Sequence, residues 1–197
     1  MARERRHPDV SKTVIINAAI AVLSTRGARG FTIDAVAKRA ACAKGLVHYH
    51  FKTKGGLSAA VAQSVLDSRV DQWRKVLTTG HPSEAIGKTW NMLVNESTMG
   101  SLRTWDVMFG EASLVPDQLV SESLQAFAAA MGEAVSALLV RLGMRPRIPP
   151  SEIGWLCSAV VFGMGDLLER GVPPTSLEGS YSAAWLGILS LAEARSG

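Results

Sequence analysis

A cluster of polar and cationic side chains near the N-terminus suits contact with nucleic acid. At about 100° per residue along a helix, Lys44, Gly45, His48 and Tyr49 fall on one contiguous arc, roughly opposite Val47. The arc offers a cation, an open backbone, an imidazole and a phenol. Lysine can read the acceptors of guanine in the major groove, and polar groups can reach phosphates. The spacing therefore favours an arc that faces double-stranded DNA.

A metal site is the alternative chemistry for this cluster, because Cys42, His48 and His50 stand close together in the sequence. The two histidines are two residues apart, so on a helix they point about 200° apart. Such an arrangement is poor for chelation. We predict no metal site and no cofactor.

The elements that must position this arc begin with an amphipathic first helix. Ser11 or Asp9 can cap its start, and Gly27 stands where a C-terminal glycine is common. Its apolar face recurs at three- and four-residue spacing. The residues on this face are Val14, Ile15, Ala18, Ala19, Val22 and Leu23.

Two short helices and one long helix follow. Thr32 is a plausible N-cap for a helix that ends at Arg39. A third helix is expected over about 43–50, and Thr53 can cap a fourth helix that reaches Leu77. Two short helices joined by a tight turn form a helix-turn-helix.

This segment resembles the DNA-binding domain of the tetracycline-repressor (TetR) family of regulators. The resemblance is close over about residues 10–60 and only architectural beyond them. The first helix and the Gly27–Gly30 turn also fit the family. The matching residues are Thr32, Val36-Ala37, Ala40, Lys44-Gly45, Tyr49-His50-Phe51, Lys54 and Leu57.

Two residues depart from the family pattern. Ala41 stands in the turn where the family usually has glycine, so a left-handed backbone is less easy there. His48 replaces the usual tyrosine of the recognition helix. Contact with a base or phosphate remains possible, but its strength becomes more sensitive to pH.

The resemblance implies a role for each matching polar residue. Three residues of the recognition helix would face base edges, namely Lys44, Leu46 and His48. Phosphates would be contacted by Thr32, Tyr49, His50 and Lys54. Leu46 could instead pack inward, and Tyr49 and His50 could simply pack at a helix end. The implied DNA-binding set is Thr32, Lys44, Gly45, Leu46, His48, Tyr49, His50 and Lys54.

The charge distribution supports phosphate binding by one part of the chain. Residues 1–56 hold 11 lysines and arginines against 3 acids, and residues 57–197 hold 10 against 14. We therefore predict a DNA-binding domain over 1–56 and a helical ligand-binding and dimerisation domain over 57–197. The basic arm 1–9 could reach a neighbouring groove or remain a solvated tail.

The remaining sequence predicts further helices and no alternating strand pattern, so the fold class is all-α. Cys42 and Cys157 are far apart and indicate no disulfide framework. The sequence contains no uninterrupted apolar run of about 18 residues, the length that a membrane span needs. We therefore expect a cytoplasmic protein without a membrane partner. The later helices are expected near 84–99, 101–113, 117–142, 151–169 and 176–194.

The resemblance implies that the C-terminal helices form an effector cavity. Methionine and aromatic side chains adapt to apolar ligands, although at helical spacing they also simply fill cores. Candidate polar groups are Asn95, Glu96, Asp106, Glu111 and Asp166, each of which could instead lie on a solvated face. An acid in the cavity would favour a cationic ligand. The predicted ligand-binding residues are Trp73, Trp90, Met99, Trp105, Met108, Phe109, Phe127 and Met131.

The last two helices carry clusters of small residues that would let two subunits approach closely. Gly154, Gly163 and Gly165 belong to the first cluster, and Gly187 to the second. We expect a homodimer joined along these helices. The predicted interface residues are Trp155, Ser158, Ala159, Phe162, Leu167, Ala183, Leu186 and Leu189.

Together these features predict a transcriptional repressor that a small, largely apolar molecule releases from a near-palindromic operator. A DNA-binding activator or a ligand-independent DNA-binding protein would share the same N-terminal features. An all-α enzyme is the remote alternative. Against it, the sequence contains no Gly-x-Ser-x-Gly, no His-Glu-x-x-His and no phosphate-binding glycine loop.

Overall fold

A computed structural model describes residues 11–110 and 114–194 of the chain. These residues form nine α-helices, a 3₁₀ turn and two short strands, and the predicted all-α class is confirmed. The first four helices lie close to the predicted limits. The helices are α1 (Lys12–Gly30), α2 (Ile33–Arg39), α3 (Lys44–Phe51), α4 (Lys54–Thr78), α5 (Ala85–Thr98), α6 (Ser101–Gly110), α7 (Asp117–Arg141), α8 (Pro150–Glu169) and α9 (Pro174–Ser190).

The two strands, β1 (Met144–Pro146) and β2 (Ala192–Ala194), were not predicted. They pair antiparallel, with Arg145 opposite Glu193, and the Arg145 Nη2 and Glu193 Oε1 atoms are 2.5 Å apart. Three residues are too few to show the two-residue period by which a strand is found in a sequence. The all-α class is unaffected.

Side-chain caps set the starts of three helices as the sequence predicted. The Ser11 hydroxyl accepts the Val14 N–H at 3.4 Å, and Asp9 lies outside the described residues. The Thr32 hydroxyl accepts the Ala35 N–H at 3.1 Å at the start of α2. Each cap satisfies a backbone donor that has no partner within its helix.

The fourth helix is also capped by a hydroxyl side chain at its start. The Thr53 hydroxyl accepts the Gly56 N–H at 2.9 Å. At the end of the first helix, Gly27 adopts a φ of 62°, which interrupts regular helical geometry before Gly30. Glycine takes this left-handed conformation without the steric cost of a Cβ atom.

The described chain groups into two compact units. Unit 1 combines the residues up to Val65 with Arg103–Val120, and unit 2 combines Leu66–Leu102 with the residues from Ser121 onward. Helix α4 contributes its first twelve residues to unit 1 and the rest to unit 2. The basic arm 1–9 lies outside the described residues.

The core of unit 1 holds the helix-turn-helix together. Val36 of α2, Val47 of α3 and Ile15 of α1 are fully buried. Burying such side chains contributes roughly 1.5–3 kcal/mol each to folding. The core fixes α3 against α1 and α2 and leaves its other face open.

In unit 2, α7 and α8 approach closely at two glycines. A Cβ atom on Gly132 would lie 2.1 Å from the Pro150 carbonyl oxygen, and one on Gly154 would lie 2.0 Å from that of Ala128. Gly165 is also buried, and a Cβ atom on it would lie 3.5 Å from the Leu102 side chain. Gly154 and Gly165 therefore serve packing within one subunit, which corrects their assignment to a seam between subunits.

Two helices, α7 and α8, are long and apolar enough to cross a membrane by length and composition alone. Their most apolar windows have mean hydropathies of 1.5 and 1.3, and 50% and 39% of these windows are buried inside the fold. Core helices of soluble proteins meet the same criterion, so this observation is a weak argument for a membrane location.

The buried thiol of Cys157 predicts a loss of stability at alkaline pH. Burial raises its pKa from 9.0 to about 12, so the unfolded chain releases this proton at a lower pH than the folded chain. Stability is therefore fully present below pH 9.0 and is lost as pH rises towards 12. Between about pH 8 and about pH 10.5, this group alone should lower the free energy of unfolding by about 2 kcal/mol.

Chemical denaturation of the wild type and of Cys157→Ala at both pH values measures this effect. At about pH 8 the free energy of unfolding of Cys157→Ala should be lower than that of the wild type, because loss of the thiol leaves a small void. It should, however, decrease less between the two pH values. Cys42 is half-buried and provides the control. Cys42→Ala should keep most of the decrease in the free energy of unfolding with pH that the wild type shows. Equal slopes for wild type and Cys157→Ala would contradict the assignment.

Candidate DNA-binding and effector sites

Helix α3 presents the predicted polar arc to solvent. Lys44, Gly45, His48 and Tyr49 are all exposed, whereas Val47 on the opposite side is fully buried. The helix packs through its apolar side and leaves a cation, an imidazole and a phenol on the other. The four residues are brought together as the spacing indicated, and their contact with DNA stays a prediction.

The turn before α3 contains the strained backbone that the sequence indicated. Ala41 has a φ of 53°, in the left-handed region that glycine favours. A Cβ atom in this region costs roughly 1–2 kcal/mol through steric overlap. Lys52, directly after α3, also has a positive φ of 63°.

Lys44 is held by an acid that the sequence pattern did not single out. Its Nζ atom lies 2.9 Å from Oδ1 and 3.0 Å from Oδ2 of Asp34, in the first turn of α2. Both side chains are largely exposed, at 54% and 72%, so the pair contributes little to stability. If Lys44 contacts DNA as predicted, Asp34 would compete with the DNA for this lysine.

Replacing Asp34 with asparagine should strengthen DNA binding. The change frees Lys44 and removes a negative charge from the surface expected to meet phosphates, so affinity should rise about two- to tenfold. Fluorescence anisotropy with one cognate and one random duplex, at several salt concentrations, measures the change. Asp71→Asn, which breaks the exposed Arg74–Asp71 pair of α4, is the control and should leave binding unchanged. Weaker binding by Asp34→Asn would mean that the pair positions Lys44 for DNA.

The two histidines of α3 differ in what they can reach. His48 is exposed and its Nδ1 atom lies 3.3 Å from the Lys52 carbonyl oxygen. A carbonyl only accepts, so Nδ1 carries the proton and Nε2 remains for an outside partner. The Nε2 atom of His50 is buried instead. A phosphate contact of His50 through Nε2 is therefore disfavoured, while the predicted contact through the rest of this half-buried residue stays a prediction.

The remaining residues predicted to contact phosphate, Thr32, Tyr49 and Lys54, are all exposed. Tyr49 is 70% exposed, with the Lys52 Nζ atom 5.5 Å from its ring centre. Lys54 opens α4, and its Nζ atom lies 5.8 Å from the ring centre of Phe31. The Thr32 hydroxyl accepts from the backbone of α2, and its own proton is left to donate.

Leu46 is half-buried and packs against the unit 1 core. Of the two alternatives, thymine contact and inward packing, the second describes its position in the free protein. Its role in reading bases stays a prediction.

The predicted ligand residues are divided between the two units. Trp105, Met108 and Phe109 belong to unit 1, where Met108 is fully buried. Met99, by contrast, is 84% exposed and lines a cleft of about 430 Å³ in unit 2. The remaining four lie in the interior of unit 2, consistent with aromatic and methionine side chains at helical spacing filling a core. These are Trp73, Trp90, Phe127 and Met131.

The cleft in unit 2 lies between α4 and α5 and has a buried carboxylate in its wall. Glu96 is only 8% exposed, and its Oε2 atom lies 3.1 Å from the Arg69 Nη2 atom. Trp73 donates its indole N–H to Glu96 Oε1 at 3.3 Å. Burial raises the pKa of Glu96, and the Arg69 charge and the hydrogen bonds partly offset this effect.

Arg69 is a buried charge that the sequence analysis missed. Its guanidinium carbon lies 5.5 Å from the ring centre of Phe127 and 5.4 Å from that of Phe162. A signal was present, because Leu66, Arg69 and Trp73 recur at helical spacing on the buried face of α4. A charge inside such an apolar pattern indicates a buried partner.

The other candidate polar groups lie elsewhere. Asn95 lines the cleft beside Glu96. Asp166 is exposed, and its hydrogen bond from Arg170 holds the pKa of the carboxyl below its ordinary value. Asp106 is exposed on α6, and Glu111 lies outside the described residues.

An exposed apolar surface covers one side of α8 and α9. Trp155 is 49% exposed and Leu186 62% exposed, and Leu167, Ala159 and Ala183 are also exposed. Exposed apolar side chains in such number are typical of surfaces that bind another molecule.

Three of the predicted interface residues are buried or half-buried. Ser158 is 1% exposed and faces the interior of its own subunit, so its assignment to the interface is wrong. Phe162 and Leu189 are half-buried, and Phe162 contacts the Phe127 ring at 5.2 Å between centres. Of the eight predicted interface residues, five are therefore exposed and three are buried or half-buried.

A basic, exposed helix held by two preceding helices defines a helix-turn-helix DNA-binding protein. Residues 15–61 match the family model described as bacterial regulatory proteins, tetR family. The similarity to this family therefore covers the segment that contains the helix-turn-helix. None of the curated protein sequences matches the chain.

Solved structures share the fold over nearly the full chain. A transcriptional regulator from Rhodococcus sp. Rha1 is 20% identical with a TM-score of 0.71, covering 93% of this chain and 98% of its own. A TetR-like regulator from Rhodococcus sp. RHA1 is 19% identical with a TM-score of 0.63 and covers 93% and 98%. The regulator FadR from Bacillus subtilis, solved with stearoyl-CoA, is 14% identical with a TM-score of 0.64 and covers 91% and 97%. At these identities the similarity establishes the fold.

Proposed function

We propose that the chain is a homodimeric transcriptional repressor that leaves operator DNA when a small molecule binds to unit 2. The observation that carries the proposal is the exposed polar face of α3 within a segment that matches the tetR family. The residues proposed to contact DNA are Thr32, Lys44, Gly45, Leu46, His48, Tyr49, His50 and Lys54. The protein would work in the cytoplasm, where its operator lies, and we assign it no catalytic role.

A homodimer is supported by the exposed apolar surface of α8 and α9. Trp155, Leu167 and Leu186 would be covered by the same surface of a second subunit in a two-fold arrangement. Two subunits place two copies of α3 on the DNA, so a two-fold protein reads an inverted repeat.

Ligand response is supported by the cleft beside Glu96 and by the architecture shared with FadR, which was solved with stearoyl-CoA. An effector weakens DNA binding only if it binds the DNA-free state more tightly than the DNA-bound state. Helix α4, which contributes residues to both units, is the proposed hinge between effector and DNA.

Selection from random duplexes tests the proposal. The purified protein is incubated with a pool of random DNA at moderate salt, and the retained molecules are sequenced. Enrichment of an inverted repeat is the expected result. Salt-sensitive retention without an enriched sequence would show that the basic unit only grips the backbone, and the repressor function would be withdrawn. Enrichment upstream of genes that the protein switches on in cells would point to an activator.

A further inference from the structure

The cleft between α4 and α5 combines hydrogen-bonding and apolar side chains. Gln72 of α4 and Asn91 and Asn95 of α5 line it with amides. Val76 and Met92 supply apolar surface beside them. Each amide can both donate and accept, so the cleft suits a molecule with carbonyl or hydroxyl groups on an apolar framework.

The charges around the cleft argue against an ionic ligand. The carboxylate of Glu96 already pairs with Arg69 at 3.1 Å, so a cation would meet the positive charge behind it. Lys88 lines the cleft as well, and its Nζ atom lies 2.6 Å from Glu84 Oε2. An anion would face the buried Glu96 carboxylate. Since the charges at the cleft already have partners, an ion would find no unpaired opposite charge there, and the cleft favours a neutral molecule.

Glu96 connects the wall of the cleft to α4. One carboxylate oxygen accepts from the Trp73 indole and the other pairs with Arg69, and both partners belong to α4. A ligand that displaces the Glu96 side chain disturbs two buried contacts of that helix at once. The same helix begins at Lys54, a residue proposed to contact DNA.

We propose that this cleft is the effector site, that it takes a neutral amphiphilic molecule with hydrogen-bonding groups, and that Glu96 couples its occupancy to α4 through Arg69 and Trp73. The inference rests on the proposed function and deepens it. Of its lining residues, Met99 alone belongs to the predicted ligand set. The neutral amphiphile refines the sequence expectation of a largely apolar effector and leaves no role for the cationic ligand that an unpaired acid would favour.

Two dyes with the same ring system test the site and its charge preference. Nile red is neutral and carries a carbonyl acceptor, whereas Nile blue is a cation. Titration of the wild type should give saturable Nile red fluorescence, with Nile blue binding at least about tenfold more weakly. Asn91→Trp, which fills the cleft, should raise the Nile red dissociation constant at least about tenfold. Arg74→Trp places the same indole elsewhere on α4, outside the cleft lining, and should leave it unchanged.

The coupling is tested on the operator recovered by the selection experiment. Saturating Nile red should weaken operator binding by the wild type about fivefold or more, and by Asn91→Trp much less. Nile red binding that Asn91→Trp does not change, equal or tighter Nile blue binding, or binding without effect on DNA would each overturn the inference. Any of these results with an enriched inverted repeat leaves the proposed function intact. Failure to enrich a repeat counts against the proposed function itself.

Discussion

Replacing Glu96 with glutamine is expected to lower the free energy of unfolding by about 3–5 kcal/mol, because it removes the negative charge that Glu96 places beside the buried Arg69 guanidinium. Both side chains are more than nine-tenths buried, and Glu96 also accepts the Trp73 indole N–H. Urea denaturation followed by circular dichroism at about pH 7 measures the loss. Arg69→Met should be costly for the converse reason, since it leaves a buried carboxylate.

The double variant Arg69→Met with Glu96→Leu separates the charge effect from a packing defect. A well-packed apolar pair in place of a buried ion pair is often neutral or stabilising. The double variant should therefore recover most of the stability that either single variant loses. Additive losses would show instead that the pair stabilises the fold by more than its desolvation costs.

The exposed pair Glu84–Lys88 is the matched control for this experiment. Its atoms lie closer, at 2.6 Å, but the side chains are 56% and 49% exposed. Glu84→Gln should leave the unfolding transition almost unchanged, because water solvates the remaining lysine. The comparison tests whether burial, rather than distance, decides the effect.

The pH dependence of this cluster has a definite sign. Burial raises the pKa of Glu96 above its ordinary value in the folded chain, in spite of Arg69. A raised pKa means that the stability contribution of this carboxyl is present at low pH and is lost as pH rises through the folded pKa. As pH rises from 4.5 to the raised pKa of folded Glu96, the free energy of unfolding of the wild type should therefore fall relative to that of the double variant, which has no carboxyl at this position.

The helix-turn-helix could be predicted from the sequence because its signals are local. Caps at Ser11, Thr32 and Thr53 and the spacing of apolar residues determine where helices begin and which face is buried. The exposed arc of α3 follows from the burial of Val47 alone. The ion pair between Lys44 and Asp34 did not follow, because it depends on how α2 and α3 cross.

The sites of unit 2 depend on packing between distant segments. Trp73, Trp90 and Phe127 look like ligand-binding residues in the sequence, yet a large apolar side chain at helical spacing serves a core equally well. Ser158 fits an interface by size and is buried within the subunit instead. Periodicity gives the face of a helix and does not say which neighbour covers it.

Replacing Gly45 with alanine is expected to weaken DNA binding at least about tenfold while leaving the fold intact or slightly more stable. A Cβ atom at this position meets nothing within 4 Å, and the residue lies in the first turn of α3 with ordinary helical geometry. Alanine is preferred to glycine in a helix by roughly 0.5–1 kcal/mol. Packing inside the protein therefore gives no reason for a glycine here.

The missing Cβ atom matters only if something outside the protein comes close to the backbone of α3. Gly45 lies beside Lys44 on the exposed arc, so a methyl group there would stand between the helix and the DNA surface. Anisotropy titration of the selected operator, together with thermal unfolding of the same samples, measures both effects. Gly87→Ala is the matched control, since Gly87 is an exposed glycine of α5 with nothing within 4 Å of its Cβ position.

The control variant should gain stability without losing affinity, whereas Gly45→Ala should move the two quantities in opposite directions. Such a divergence cannot arise from partial unfolding, which lowers stability and affinity together. If Gly45→Ala binds the operator as tightly as the wild type, the backbone of α3 does not lie against DNA. Base reading by Lys44 would then require a docking in which α3 approaches through its side chains alone.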